Sequence, residues 1–378
     1  MSDEPTIARV RVATVRADLP APVVFGEWIM QFREYAVVRI DLSNGVSGWS
    51  FTLTRDGAVA EQVRKALASV YANSRLDDRE QTFLVAQRRS LASNSAGIGL
   101  RALSLLDLAA WDAAARCVNL PIAEYLGHAA QAMPATAIVG YPPALMGPVE
   151  VKEQVAQLTS AGWRRFKLPV ALTPELSGAR LRAARSAAPD AWIGCDAAWT
   201  YDNVDDAVLF LESIRDVSLG WFEDVFPPGD AHKVAELRQR GATRIAMGDE
   251  QGGSYYPQAL LDNNAVDVVR VDLTCMGGIT GGRAIVAECR ARDVEVAPHM
   301  FAHVHSQVFS GWGMNDAPIE WGAPWTGVDP YADSLQQPLV DSTGRMAPLP
   351  QSPGFGELVN RDWIQTQYLD DPEGIMND

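Results

Sequence analysis

The feature that most constrains this chain is a rhythm that begins near Pro134. From there eight short apolar runs recur: ATAIVG, RRFKLPV, AWIGCDAAW, LGWFEDVF, RIAMGDE, VDVVRVDLT, VEVAPHMF and PIEWG. The first seven are followed by helix-like stretches such as PVEVKEQVAQLTSAG and GGRAIVAECRARD. Eight strands alternating with helices, spaced about 23–30 residues apart, predict a parallel α/β barrel. A doubly wound open sheet is the competing architecture. It is weakened because no Gly-rich dinucleotide fingerprint follows the first strand.

The chain before the barrel has another texture. Residues 6–53 alternate in the manner of strands, and Asn44-Gly45 is a hairpin turn signal. Residues 58–72 and 77–93 read as helices, and LRALSLLDLAAWDAAAR at 100–116 reads as an amphipathic helix. This predicts an α+β domain over residues 1–130, a barrel over 131–345, and a tail over 346–378 that packs back on the first domain. Residues 15–35, with Phe25, Trp28 and Met30, read as a loop after the first strand.

A formal net charge of −15 argues against nucleic acid or an anionic membrane as partner, because both would be repelled. The acidic start MSDEPTIARV lacks the apolar core of a signal peptide, and no apolar run is long enough to span a bilayer. Cys117, Cys195, Cys275 and Cys289 are scattered, as expected of reduced thiols in a cytoplasmic protein.

Catalytic groups of a barrel sit at the C-terminal ends of its strands. Strand two carries Arg165-Phe166-Lys167. Strand three ends in Asp196, four in Glu223-Asp224, five in Asp249-Glu250, six in Asp272, seven in His299 and eight in Glu320. A buried unpaired charge is costly, so seven consecutive strands ending this way point to function. Asp196, Glu223 and Asp249 lie on adjacent strands, and three convergent carboxylates repel unless a cation sits among them. Hard oxygen ligands favour Mg²⁺. The competing reading makes them solvated loop acids or helix N-caps. Asp224 and Glu250 would support the ligands or pair with basic groups.

This ordered set resembles the mandelate racemase subgroup of the enolase superfamily. The resemblance spans nearly the whole chain and implies a (β/α)7β TIM-like barrel behind an N-terminal α+β capping domain. It implies Lys167 as a base, from the family's Lys-x-Lys on strand two. VDLTCMGGITGG and PHMF imply an Asp272–His299 dyad, and IEWG implies Glu320 as a substrate contact. The family's cap closes over the barrel, which implies substrate contact by Trp28. Homo-oligomers are common in the family, so one is expected here. The sequence also departs from the family pattern. Arg165 replaces the first lysine, and Ala198 stands where the family often has Asn. Glu250 directly follows Asp249, leaving the third ligand open between them, with Asp249 favoured.

The resemblance implies Mg²⁺-dependent removal of the α-proton of a small carboxylate substrate. Arg165, as a substrate-site cation, and the metal are expected to depress the Lys167 pKa. Glu320, if protonated, would donate to the substrate carboxylate, and His299 would act as the acid. A sugar-acid dehydratase is the leading expectation, and a racemase or epimerase using the same Lys and His is the alternative. A Schiff-base aldolase leaves the three acids unexplained, and a non-catalytic binding protein is the remaining class. His303 and His305 are further candidate contacts, while Arg270 is expected to face the helix layer.

Overall fold

Alternation in IARVRVATVRADL places Ala13, Val15, Ala17 and Leu19 on a buried face, with Arg16 and Asp18 on the other. That segment begins β1 (Ile7–Phe25), which pairs antiparallel with β2 (Trp28–Leu42), itself paired with β3 (Ser47–Leu53). The computed structural model describes residues 4–25, 28–89, 91–250, 253–322, 324–349 and 351–377, apart from the side chains of Phe25 and Trp28. The stretch 15–35 is therefore a hairpin rather than a loop. Pro20 and Pro22 mimic a strand break, but they fall where the β1–β2 register shifts between Asp18 and Val23. A proline's missing N–H is tolerated at such an irregularity.

The helix Gly97–Cys117 is buried along its length from Gly99 to Ala115, so it is not amphipathic. It lies between the cap strands and the barrel helix Gly278–Ala291, which covers both of its sides. Its polar groups are paired inside. Asp112 accepts from the Trp49 amide at 2.8 Å and the Phe355 amide at 2.7 Å.

The eight apolar runs form β4 (Met133–Ile138), β5 (Arg165–Pro169), β6 (Trp192–Asp196), β7 (Trp221–Glu223), β8 (Ile245–Met247), β9 (Val268–Val271), β10 (Glu295–Pro298) and β11 (Ile319–Trp321). They make one parallel sheet in the order β10-β9-β8-β7-β6-β5-β4-β11, curled into a TIM-like barrel. The short strand β12 (Arg345–Met346) adds to β4, and β13 (Tyr368–Asp370) pairs antiparallel with β1 in the cap. No helix among the described residues is long and apolar enough to cross a membrane.

Candidate active site

Side chains alternate along a strand, so one register decides which residues line the barrel. Lys167 on β5 opposes Gly194, and Asp196 at the end of β6 opposes Glu223 on β7. These side chains and those of Arg270 and Glu320 meet inside. Lys167 Nζ lies 3.4 Å from Asp196 Oδ2, 3.0 Å from Glu223 Oε1 and 2.8 Å from Glu320 Oε1. Arg270 Nε donates to Glu223 Oε1 at 3.1 Å, and its Nη2 pairs with Glu320 Oε1. Trp221 Nε1 donates to the other Glu223 oxygen at 2.9 Å.

Arg270 therefore lines the barrel, not the helix layer. It stands two residues before Asp272 and shares that residue's face. This position also answers the cost of the interior acids, since Glu223 and Glu320 are 0% and 1% exposed.

Arg165 is not at this site. It begins β5, one strand layer below Lys167, where its guanidinium stacks 4.0 Å from the Trp192 ring and its Nε donates to Thr136 Oγ1. Arg165 is therefore not the neighbour expected to depress the Lys167 pKa. Burial opposes the ammonium, but Glu223, Glu320 and Asp196 outweigh it and raise the lysine well above its usual range. Glu320 faces two cations, Lys167 and Arg270, which works against the protonated form expected of it. Burial works against its charge, yet Arg270, Lys167 and His299 pull it down to about 2.

On the far side of the acids, His299 Nδ1 lies 3.3 Å from Asp272 Oδ2, and Nε2 lies 3.6 Å from Asp249 Oδ2. Burial disfavours the imidazolium, but Asp249, the Asp272 bond and Glu250 push His299 up to about 9. Asp272 is itself fixed by the amide and hydroxyl of Thr274 at 2.8 and 2.7 Å. His305 accepts from the Leu273 amide at 2.9 Å and bonds the Met300 carbonyl at 2.7 Å, tying the loops after β9 and β10 together. His303 bonds the Gln336 carbonyl.

One carboxylate oxygen from each of Glu223, Asp224 and Asp249 lies within 4.8 Å of the other two. Asp224 Oδ1 is buried without a hydrogen-bond partner, and burial together with Asp249 raises the Asp224 carboxyl well above its usual range. Asp196 stands beside this group, turned to Lys167 and to the Ala198 amide at 2.9 Å. These acids are not helix caps. Thr173, Asn203 and Asp230 cap the helices that follow β5, β6 and β7. Glu250 is committed elsewhere, to Arg55 and to Arg101 at 3.3 Å.

Arg55 and Arg101 come from the cap and were not apparent as site residues in the sequence. The available signal was Arg101, the one charge in the first half of a helix whose other charges are Asp107, Asp112 and Arg116. Trp28 opens β2, but its side chain lies outside the described residues.

Left-handed backbone gathers at the strand ends. Ala198, Trp199, Asp224, Glu250, Met300 and Phe301 have φ of 47°, 58°, 45°, 51°, 46° and 42°. Each costs about 1–3 kcal/mol in a non-glycine residue, so surrounding packing must hold it. The turns follow β6, β7, β8 and β10, the strands that carry the acids and His299.

Comparison with known proteins bears on the chain as a whole. A D-galactonate dehydratase family member of Catenulispora acidiphila is 26% identical over 78% of this chain and 73% of its own length. A D-galactarolactone cycloisomerase of Agrobacterium fabrum is 22% identical over 97% of this chain and 99% of its own. The fold matches a racemase of Streptomyces coelicolor A3(2) with bound magnesium, with a TM-score of 0.82 at 21% identity, covering 93% of this chain and 96% of that one. It also matches a Bradyrhizobium enolase complexed with magnesium and mandelic acid, with a TM-score of 0.84 at 18% identity, covering 97% and 100%. Residues 7–127 match the mandelate racemase/muconate lactonizing enzyme N-terminal domain, and residues 150–363 match the enolase C-terminal domain-like family. The chain thus belongs to the enolase superfamily, in its mandelate racemase subgroup.

Proposed function

We propose that this chain is a Mg²⁺-dependent lyase that dehydrates a sugar acid to a 2-keto-3-deoxy acid. The observation that carries the reading is the order of groups around the barrel. Lys167 stands on β5 and the Asp272–His299 dyad at β9 and β10, with Asp196, Glu223 and Asp249 on the three strands between them. A substrate carboxylate bound at the acids would present its α-carbon to a lysine on one side and an imidazole on the other.

The acid set fits Mg²⁺. Asp196, Glu223 and Asp249 would supply hard oxygen ligands, and the buried Asp224 oxygen beside them, which has no hydrogen-bond partner, supports a cation there. Mg²⁺ held there offsets the charge that builds on the substrate carboxylate as the α-proton leaves. Lys167 holds its proton while three carboxylates face it. With Asp196 and Glu223 engaged by Mg²⁺, Lys167 would face fewer free carboxylates, and burial and Arg270 would favour its neutral amine. Lys167 Nζ takes the α-proton. His299 Nε2 gives a proton to the β-hydroxyl, the C3–O bond breaks, water leaves, and the resulting enol tautomerises to the 2-keto acid.

The racemase or epimerase reading uses the same pair on a 2-hydroxy acid. The contact of His299 Nδ1 with Asp272 Oδ2 at 3.3 Å would steady an imidazolium, which supports the acid role that a dehydratase needs. Incubation with Mg²⁺ and a panel of aldonic and aldaric acids should yield a 2-keto product that disappears on chelation. Stereochemical inversion without any 2-keto product would replace this reading with the second.

A further inference from the structure

The histidine side of the site is tied to the cap by a chain of hydroxyls that the chemistry described so far does not use. Thr274, on the loop after β9, donates through its Oγ1 to Asp272 Oδ1 at 2.7 Å. The same oxygen accepts from Thr52 Oγ1, on β3 of the cap, at 2.9 Å. Thr52 in turn accepts from Arg101 Nη1, in the helix Gly97–Cys117, at 3.1 Å. Thr52, Thr274 and Asp272 are fully buried, and Arg101 is nearly so.

The direction of this chain is set by its ends. A guanidinium can only donate and an ionised carboxylate can only accept, so each hydroxyl takes a proton from the cap side and gives its own toward the barrel. Successive bonds of this kind polarise one another in a dry interior. Among the described residues no other side chain donates to Asp272 Oδ1. His305 Nε2 lies 3.7 Å away, but it accepts from the Leu273 amide, and the ring's proton goes from Nδ1 to the Met300 carbonyl. Oδ1 is therefore held by Thr274, amide and hydroxyl together, which leaves Oδ2 facing His299 Nδ1. Arg101 also donates to Glu250 Oε2, while Glu250 Oε1 lies 4.0 Å from His299 Nδ1. One cap arginine thus reaches both carboxylates that face this nitrogen, one directly and one through two threonines.

We propose that Thr274 and Thr52 are positioning residues for the acid step: through them the docked cap fixes the Asp272 carboxylate, and with it the ring of His299. This rests on the role proposed above for His299. Without the Thr274 hydroxyl, Oδ1 keeps only the amide, the carboxylate is free to turn, and His299 Nε2 is no longer held on the leaving hydroxyl. Lys167 is paired with Asp196, Glu223 and Glu320 and shares no hydrogen bond with the chain.

The test uses the Mg²⁺-loaded full-length enzyme and a sugar acid that wild type dehydrates. Thr274→Val should lower 2-keto product formation at saturating substrate about tenfold or more and change KM by less than about threefold. It should leave α-proton exchange with solvent within about threefold of wild type. Thr52→Val should show the same pattern at smaller size. Thr274→Ser, which keeps the hydroxyl, should return product formation to within about threefold of wild type. Ser104→Ala is the structural control. It removes another tie between the cap helix and the same loop, the acceptor of the Gly277 amide at 2.7 Å, and should keep the wild-type ratio of product to exchange. Product and exchange falling together in Thr274→Val would reduce the threonines to packing and overturn the proposal, as would the same product loss in Ser104→Ala. If wild type yields no 2-keto product and instead inverts a 2-hydroxy acid, the dehydratase reading fails while the proposal is still decided. Thr274→Val should then slow exchange from the enantiomer that loses its proton to His299 and spare the one served by Lys167. Equal losses on both enantiomers would overturn it.

Discussion

Lys167 and Arg270, from strands on opposite sides of the barrel, share the same two carboxylates. Glu223 Oε1 lies 3.0 Å from the lysine and 3.1 Å from the arginine, and Glu320 Oε1 meets both. Two cations held this close to one another persist only because the acids bind them together.

Replacing Arg270 by Met leaves Glu223 and Glu320 with one cation in a dry interior. The expected cost is about 3–5 kcal/mol in urea unfolding, because a buried partner is left uncompensated. A loss below about 1 kcal/mol would show that the network contributes nothing Lys167 cannot supply alone.

Metal retention distinguishes Asp249 from its neighbour. Asp249→Asn should lose Mg²⁺ on dialysis. Glu250→Gln should keep it, yet unfold at lower denaturant, since Arg55 and Arg101 lose the acid that ties cap to barrel. Metal analysis of both variants checks this, and the reverse pattern would make Glu250 the ligand.

Away from the site, Asp107 accepts from the Thr280 amide at 2.9 Å. Burial raises its carboxyl and the Thr280 bonds partly offset this, leaving it at about 7, above its ordinary 3.8. The folded state then binds the extra proton between those values. Its contribution to stability is full at the acid end and is lost as pH rises toward 7. Asp107→Asn should remove that component, so its stability should improve relative to wild type between pH 5 and pH 7.5, by on the order of 1 kcal/mol or more. Parallel curves would contradict the assignment.

The barrel was legible because each of its eight strands is a local apolar run, and seven of them close on a charge. Arg270 could have been placed by the same period of two that puts it on Asp272's face. The Glu250 partners could not, because Arg55 and Arg101 reach it from the cap across a long sequence separation. Arg165 misled for a related reason. Period two correctly gave it the face of Lys167, but a strand also has depth, and its first residue lies at the floor. The hairpin to Phe25 was hidden by Pro20 and Pro22, whose usual meaning as breakers is overridden at a register shift. The directions of the Lys167 and Glu320 shifts were not legible either. Each depended on how many opposite charges surround the group, and that number exists only in three dimensions.

The central claim is that Lys167 moves the α-proton and His299 completes the elimination. Solvent-deuterium exchange at the α-carbon, followed by NMR with Mg²⁺ and a sugar acid that wild type turns over, tests it most directly. Lys167→Met should abolish exchange. His299→Asn should retain measurable exchange while 2-keto product falls by about 100-fold or more, because the leaving hydroxyl lacks its acid. Native exchange rates in both variants would contradict the account.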